Sequence, residues 1–139
     1  MKIKKITALV ILSFLFFCPY MYAQNQPYLF VYNTVNYFAP ADSFSSSVNK
    51  TLYDKTEITI DFYANKILLK TYYSDGPVES TYTIKKTSKL QNNYSKGDYY
   101  IITCLASNYS ETIFEVSKES KWISRKVTHN GITHKYYNR

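Results

Sequence analysis

Between residues 57 and 85 two runs of strict two-residue alternation flank an apolar run, and this tandem constrains the fold more than any other feature of the chain. In EITIDFY (57–63), Ile58, Ile60 and Phe62 fall on one side, and Thr59, Asp61 and Tyr63 on the other. In VESTYTIK (78–85), Val78, Tyr82 and Ile84 oppose Glu79, Thr81, Thr83 and Lys85. Successive side chains of a strand point to opposite faces, so each run predicts a strand with one buried face. ILLKTYY (67–73) reads as the strand between them. ANK (64–66) and SDGP (74–77) read as the turns, because Asp-Gly tolerates positive φ and Pro77 cannot donate to a ladder.

The same grammar continues towards the C-terminus. YYIITCLA (99–106) is apolar on both faces and predicts the most buried strand. ETIFEVSK (111–118), KWISRKVTH (121–129) and ITHKYY (132–137) follow, separated by SNYS, KES and Asn130-Gly131. KTSKLQNNYSKGD (86–98) reads as a polar loop. Upstream, PYLFVYNTVNYF (27–38) has some helical spacing, but its Val, Tyr and Phe content favours a strand. Residues 39–50 read as loop. Short connections favour antiparallel neighbours. The expectation is an all-β chain: a single small antiparallel β-meander, a barrel or half-barrel of about seven to eight strands. A flat sheet covered by the N-terminal segment is the alternative. Residues 24–56 form an N-terminal segment and 57–139 the meander, within one domain.

The first residues are of a different kind. Lys2, Lys4 and Lys5 precede an apolar run from Ile6 to Phe17, which as a helix would cover roughly 18 Å of a ~30 Å hydrocarbon core. Pro19 breaks the run and Ala23 supplies a small residue. This layout predicts a secretory signal peptide over residues 1–23, with membrane contact only during export. Phe17 directly before Cys18 argues against a lipoprotein anchor. The exported chain then keeps Cys104 alone, which excludes an internal disulfide and suits a small core residue. The destination is periplasmic, secreted or surface-associated.

Losing Lys2, Lys4 and Lys5 brings 17 basic residues down to 14 against 10 acids, a balance of +4. The excess sits at the C-terminal end: Lys118, Lys121, Arg125, Lys126, Lys135 and Arg139 face one acid, Glu119. Export makes nucleic acid an unsuitable partner. A local basic patch fits an anionic glycan, a lipid head group or an acidic protein.

HNGITH (129–134) holds both histidines of the chain. A two-residue turn at Asn130-Gly131 would pair His129 with Ile132, Thr128 with Thr133 and Val127 with His134. One face then carries Ile123, Arg125, Val127, His129, Ile132, His134 and Tyr136. His129 and His134 would stand ~7–8 Å apart as diagonal neighbours, within reach of one ion. A stable metal site needs three or four ligands, and neither strand supplies a carboxylate or thiolate. The reading is two partly buried histidines at a hairpin end, with a metal site as the alternative and no cofactor expected. Arg125 on the inward face signals a wrong register or an open hairpin end. The opposite face carries Trp122, Lys126, Lys135 and Tyr137, a mixture of cations and amphipathic rings suited to binding.

Catalytic signals are sparse. Gly76, Gly97 and Gly131 are the only glycines and all sit in turns, which leaves no phosphate-cradling loop or nucleophile elbow. Asp61, Glu79, Glu111 and Glu115 are available as carboxylates, but no pattern pairs them. The expectation is a non-enzymatic binding or interaction module. The alternative is a barrel carrying a small apolar ligand among residues such as Ile60, Phe62, Tyr82 and Ile102, and a small hydrolase comes third. Intact-mass measurement of protein from its own host should give a chain beginning at Gln24. A chain still carrying residues 1–23 would remove the export reading.

Overall fold

Val35 on the first long strand lies directly opposite Tyr136 near the C-terminus, so the meander begins and ends on the same edge. The computed structural model describes residues 26–139; the expected signal peptide and Cys18 lie outside them. Eleven strands occur among the described residues: β1 (Tyr28–Tyr32), β2 (Thr34–Ala39), β3 (Val48–Leu52), β4 (Lys55–Asp61), β5 (Lys66–Tyr73), β6 (Gly76–Thr87), β7 (Gln91–Asn93), β8 (Gly97–Ala106), β9 (Glu111–Ser117), β10 (Trp122–Val127) and β11 (Thr133–Tyr137). They form one curled antiparallel sheet, a half-barrel in the order β1-β4-β5-β6-β8-β9-β10-β11-β2-β3, with β7 added on β8.

The strand count exceeds the sequence expectation for three local reasons. The 27–38 run is broken at Asn33 into β1 and β2. β3 forms inside the stretch read as loop, pairing Val48–Leu52 with Ala39–Val35. β7 forms inside the 86–98 loop, where Gln91–Asn93 folds back on Tyr99–Gly97. Both unforeseen strands are polar and mostly exposed, so they lack the alternation that reveals a strand with a buried face.

β1 pairs β4 while β2 pairs β3, and only Tyr53 and Asp54 separate β3 from β4. Residues 28–39 and 48–61 therefore run alongside each other as one long hairpin with a single-residue step in register. The other edge of β2 takes β11. The first hairpin thus meets β5 through β4 on one side and β11 through β2 on the other.

Alternation sets the core as expected. Ile58 and Ile60 of β4, Ile67 and Leu69 of β5, Tyr82 of β6, Ile102 and Cys104 of β8, Phe114 of β9, Ile123 of β10 and Tyr136 of β11 are buried together. β8 is not buried on both faces: Ile102 and Cys104 are covered, whereas Ile101, Thr103 and Leu105 are half-exposed. Pro77 sits opposite Tyr72, on the part of β6 that precedes its pairing with β8. No ladder bond is lost there, as expected for proline on an open edge. Burial pushes the Cys104 thiol up to about 12, which makes it a packing residue rather than a nucleophile.

Many tyrosines face outward, and lysine stems cover them. Tyr72 donates to Glu57 at 2.9 Å, and Lys55 and Lys70 place their ammonium groups 4.8 and 5.5 Å from its ring centre. Lys55–Glu57 and Lys70–Glu79 ion pairs at 2.8 and 3.0 Å complete this outer network across β4, β5 and β6. Solvent and salt screen exposed pairs of this kind, so the core carries the fold. Phe114 is fully buried and packs edge-on against Tyr82 at 5.1 Å. Phe114→Ala should cost about 3–5 kcal/mol, measured by urea unfolding; a loss below about 1 kcal/mol would show that this layer is not the centre of the core.

Candidate functional site

The buried layer fills the middle of the curled sheet and leaves a cavity at each end. At one end the strands β1 and β8 begin and β4 and β9 finish. Their inward positions supply Tyr28, Phe30, Ile60, Phe62, Tyr100, Ile102 and Val116 to a cavity of about 380 Å³. Thr87, Ser88, Ser117, Lys118 and Ser120 add polar groups to its wall. Tyr28 and Phe62, edge-on at 6.0 Å, are 58% and 45% exposed, so the mouth opens to solvent between two aromatic rings. Lys118 lies 3.8 Å from Asp98. Asp61 does not enter this cavity wall; it accepts from the Ala64 amide at 2.8 Å and holds the β4–β5 turn.

The opposite end is polar. A cavity of about 100 Å³ is lined by Val35, Leu52, Leu69 and Val78, and by Asp54, Thr71, Tyr73, Ser80, Arg125, His134 and Tyr136. Arg125 on β10 crosses the interior to β6, where Nη1 donates to the Tyr82 hydroxyl at 2.6 Å. Its Nη2 lies 2.8 Å from Nδ1 of His134, its cross-strand partner. Nη2 also lies 3.3 Å from Nε2; a guanidinium can only donate, so a ring nitrogen accepts from it and the imidazole is neutral. Burial and then the Arg125 charge hold the His134 pKa down at about 4. Tyr37 packs edge-on against the same ring at 5.0 Å, and Tyr136 stacks on it at 6.3 Å.

The structure redraws the C-terminal hairpin. Arg125, not Val127, stands opposite His134, and Lys126 opposes Thr133. The loop is Thr128–Gly131, closed by the Val127 amide on the Ile132 carbonyl at 2.9 Å. Gly131 alone takes the left-handed backbone, with φ of 69°, and a Cβ there would also press on Pro40 at 3.2 Å. Asn130 is not in that region, so a two-residue turn does not form. The register moves by two residues, an even number, and the faces stay as assigned. His129 is left exposed in the loop, away from the strand positions where the two histidines would have faced one ion. Among the described residues no group of three or more His, Cys, Asp and Glu side chains could hold a metal ion.

Trp122, Lys126, Lys135 and Tyr137 do share the outer face. Trp122 pairs Tyr137, and Lys135 sets its ammonium 5.2 Å from the Trp122 ring centre. Tyr99 adds a ring 6.1 Å from Trp122. The candidate carboxylates are engaged separately: Glu79 by Lys70, Glu115 by Lys96, and Glu111 by the Thr128 hydroxyl.

Ile60, Phe62 and Ile102 of the expected apolar lining border the aromatic-rimmed cavity, whereas Tyr82 belongs to the middle layer and meets Arg125. Sequence reasoning missed Tyr28, Phe30, Tyr100 and Val116 as lining residues. The parity that puts Tyr32, Ile102 and Phe114 inward would have placed them there. No protein-family model matches the chain, and neither a curated protein nor a solved structure is significantly similar to it.

His134 makes stability depend on pH. The unfolded imidazole takes its proton near pH ~6.5 and the folded one only near about 4. Between these values the unfolded state binds more protons, so stability falls as pH falls and is unaffected by this group above the window. The groups facing the ring are Arg125 of β10, Tyr37 of β2 and Tyr136 of its own strand, with Tyr73 and Asp54 in the surrounding wall. Denaturant unfolding should show a loss of about 2 kcal/mol across the window, and His134→Gln should flatten that slope. An unchanged slope in the variant would mean that His134 is not buried neutral.

Proposed function

We propose that the protein is a non-enzymatic binding module whose aromatic-rimmed end takes the apolar body of a small ligand. The observation that carries this reading is the cavity of about 380 Å³ walled by Phe30, Ile60, Phe62, Tyr100, Ile102 and Val116. Small-molecule sites are concave, mostly apolar and roughly 300–1,000 Å³ in volume, with a few polar groups to orient the ligand. Lys118, Ser117 and Ser120 are the polar groups here.

The pairing pattern supports the finer reading of the sheet as a barrel. With 28–39 and 48–61 each taken as one bent strand, the ladders run from the first hairpin through β5, β6, β8, β9, β10 and β11 back to β2. That is a ring of eight, and barrels of about eight strands have interiors that hold side chains or one small ligand. Export to the periplasm, the cell surface or the medium accompanies this reading, on the strength of the N-terminal leader.

A second reading places the contact on the outer face of β10 and β11, where Trp122, Lys126, Lys135 and Tyr137 would meet an anionic glycan, a lipid head group or an acidic protein. The Lys135–Trp122 pair favours it, as a preformed cation-aromatic surface.

One set of variants separates the two. Tyr100 is 37% exposed at the cavity wall, so Tyr100→Glu puts a charge there without rebuilding the core. Titration with an apolar fluorescent dye should show binding weakened ~10-fold or more in that variant. The Lys126→Glu, Lys135→Glu double variant should bind the dye normally. Undiminished dye binding in Tyr100→Glu would overturn the cavity reading, and weakened binding in the double variant would move the site to the outer face.

A further inference from the structure

Arg125 presents a problem of charge. Its guanidinium carries five N–H donors, and its protein partners are two neutral groups, the Tyr82 hydroxyl and the His134 imidazole. Its Nε is buried without a hydrogen-bond partner. Among the described residues no carboxylate lies within ion-pair distance of it, although every ion pair formed elsewhere joins a lysine to an acid. One acid, Asp54, lies in the wall of the same cavity. A cation held in a partly dry interior against neutral dipoles is poorly compensated.

The space beside it has the complementary chemistry. The wall of the cavity of about 100 Å³ carries the hydroxyl-bearing residues Thr71, Tyr73, Ser80 and Tyr136 beside Arg125 and His134, the Thr71 hydroxyl being shared with Thr56. Val78 and Tyr73, 55% and 45% exposed, lie at its edge and leave a way in. We infer that this cavity is an anion site, independent of the apolar cavity at the other end, and that it takes a small monocarboxylate on the Arg125 guanidinium.

Charge and size select that class. Arg125 is the one formal cation in the wall, and His134 is committed as a neutral acceptor. Asp54 adds a negative charge at the periphery. A dianion such as phosphate would therefore meet a net deficit of positive charge, whereas a carboxylate meets one cation. The planar guanidinium matches a planar carboxylate, with hydroxyl donors for its remaining lone pairs. The volume suits a group of acetate or propionate size, or the carboxylate end of a longer molecule reaching in past Val78 and Tyr73.

The test is thermal unfolding of the whole protein with sodium acetate, against sodium chloride and sodium phosphate at equal ionic strength. Acetate should raise the midpoint saturably, with a millimolar apparent dissociation constant, and chloride should not. Arg125→Lys keeps the charge but loses the fork and should weaken acetate binding ~10-fold or more. Ser80→Leu fills the cavity from β6, leaves Arg125 in place and should abolish the shift; it serves where Arg125→Lys does not fold. Asp54→Asn should tighten acetate binding several-fold. Equal shifts with chloride, or an undiminished acetate shift in Arg125→Lys or Ser80→Leu, would overturn the proposal. So would a response to acetate confined to Asp54→Asn, which would make Asp54 the resident counter-ion. A stronger response to phosphate would overturn the carboxylate assignment. Dye binding at the apolar end should be unaffected by all three variants, which keeps the two sites separable.

Discussion

Everything in the fold depends on β2 accepting two neighbours at once. Its residues pair β3 on one edge and β11 on the other, so the last strand returns to the first hairpin. Had β11 ended on an open edge, Tyr136 and His134 would face solvent and Arg125 would have no reason to point across the interior. Because the sheet curls back, inward positions of β4, β5, β6, β8, β9, β10 and β11 converge on a common layer. That layer is closed by large residues: Ile58, Leu69, Tyr82, Phe114, Ile123 and Tyr136. Strands longer than this layer is thick must run past it at both ends, and the two cavities are what the overhang encloses. They differ because the overhanging residues differ, aromatic and aliphatic at one end, hydroxyl, imidazole and guanidinium at the other.

The outside obeys a different economy of contacts. A chain with 16 tyrosines cannot place them all inside so small an interior. Tyr72 and Tyr99 stand on the outer face with the Lys55 and Lys96 ammonium groups within about 5.5 Å of their rings. Lysine stems lie along aromatic faces while their charges stay in water. The Lys135–Trp122 pair belongs to this series. Its geometry is therefore as compatible with an ordinary covered aromatic as with a binding surface, which is why the interior cavity leads the functional reading.

The legibility of the chain followed burial. Where one face is buried and the other polar, the sequence carries it: Ile58 and Ile60, and Tyr82 with Ile84, take the expected side, whereas 99–106, apolar throughout, hides that only Ile102 and Cys104 are covered. Where both faces were wet, as in Val48–Leu52 and Gln91–Asn93, pairing rests on backbone hydrogen bonds that leave no pattern in side-chain type. The C-terminal hairpin is the instructive case. Asn-Gly was read as the two central residues of a turn, but Gly131 supplies the left-handed position that ends a four-residue loop. The slip of two residues moved every partner and preserved every face, so Arg125 and His134 were placed inward for an incorrect register. Arg125 on the inward face signals a wrong register or an open hairpin end, and the register does differ, yet the residue stays inward. For the aromatic-rimmed cavity, the aliphatic and aromatic set Ile60, Phe62 and Ile102 is legible, while the contribution of Tyr28 and Phe30 requires knowing that β1 pairs β4.

Arg125 is hard to explain by folding alone. A leucine at that position would fill interior space without desolvating a charge, and substituting apolar residues for buried ionic groups is often neutral or stabilising by roughly 1–4 kcal/mol. What the guanidinium gains within the protein is two hydrogen bonds to neutral acceptors, which recover only part of its lost hydration. It also disfavours a charged His134 and ties β10 to Tyr82, whose ring packs on Phe114 in the middle layer. The cation is thus anchored to the buried middle layer, beside a cavity whose wall carries hydroxyl-bearing residues. A carboxylate arriving there would meet a fork already held in place, and the desolvation of the guanidinium would already have been met by folding. That preorganisation is what distinguishes a built anion site from a surface arginine, and it accounts for a residue that core packing by itself would not select.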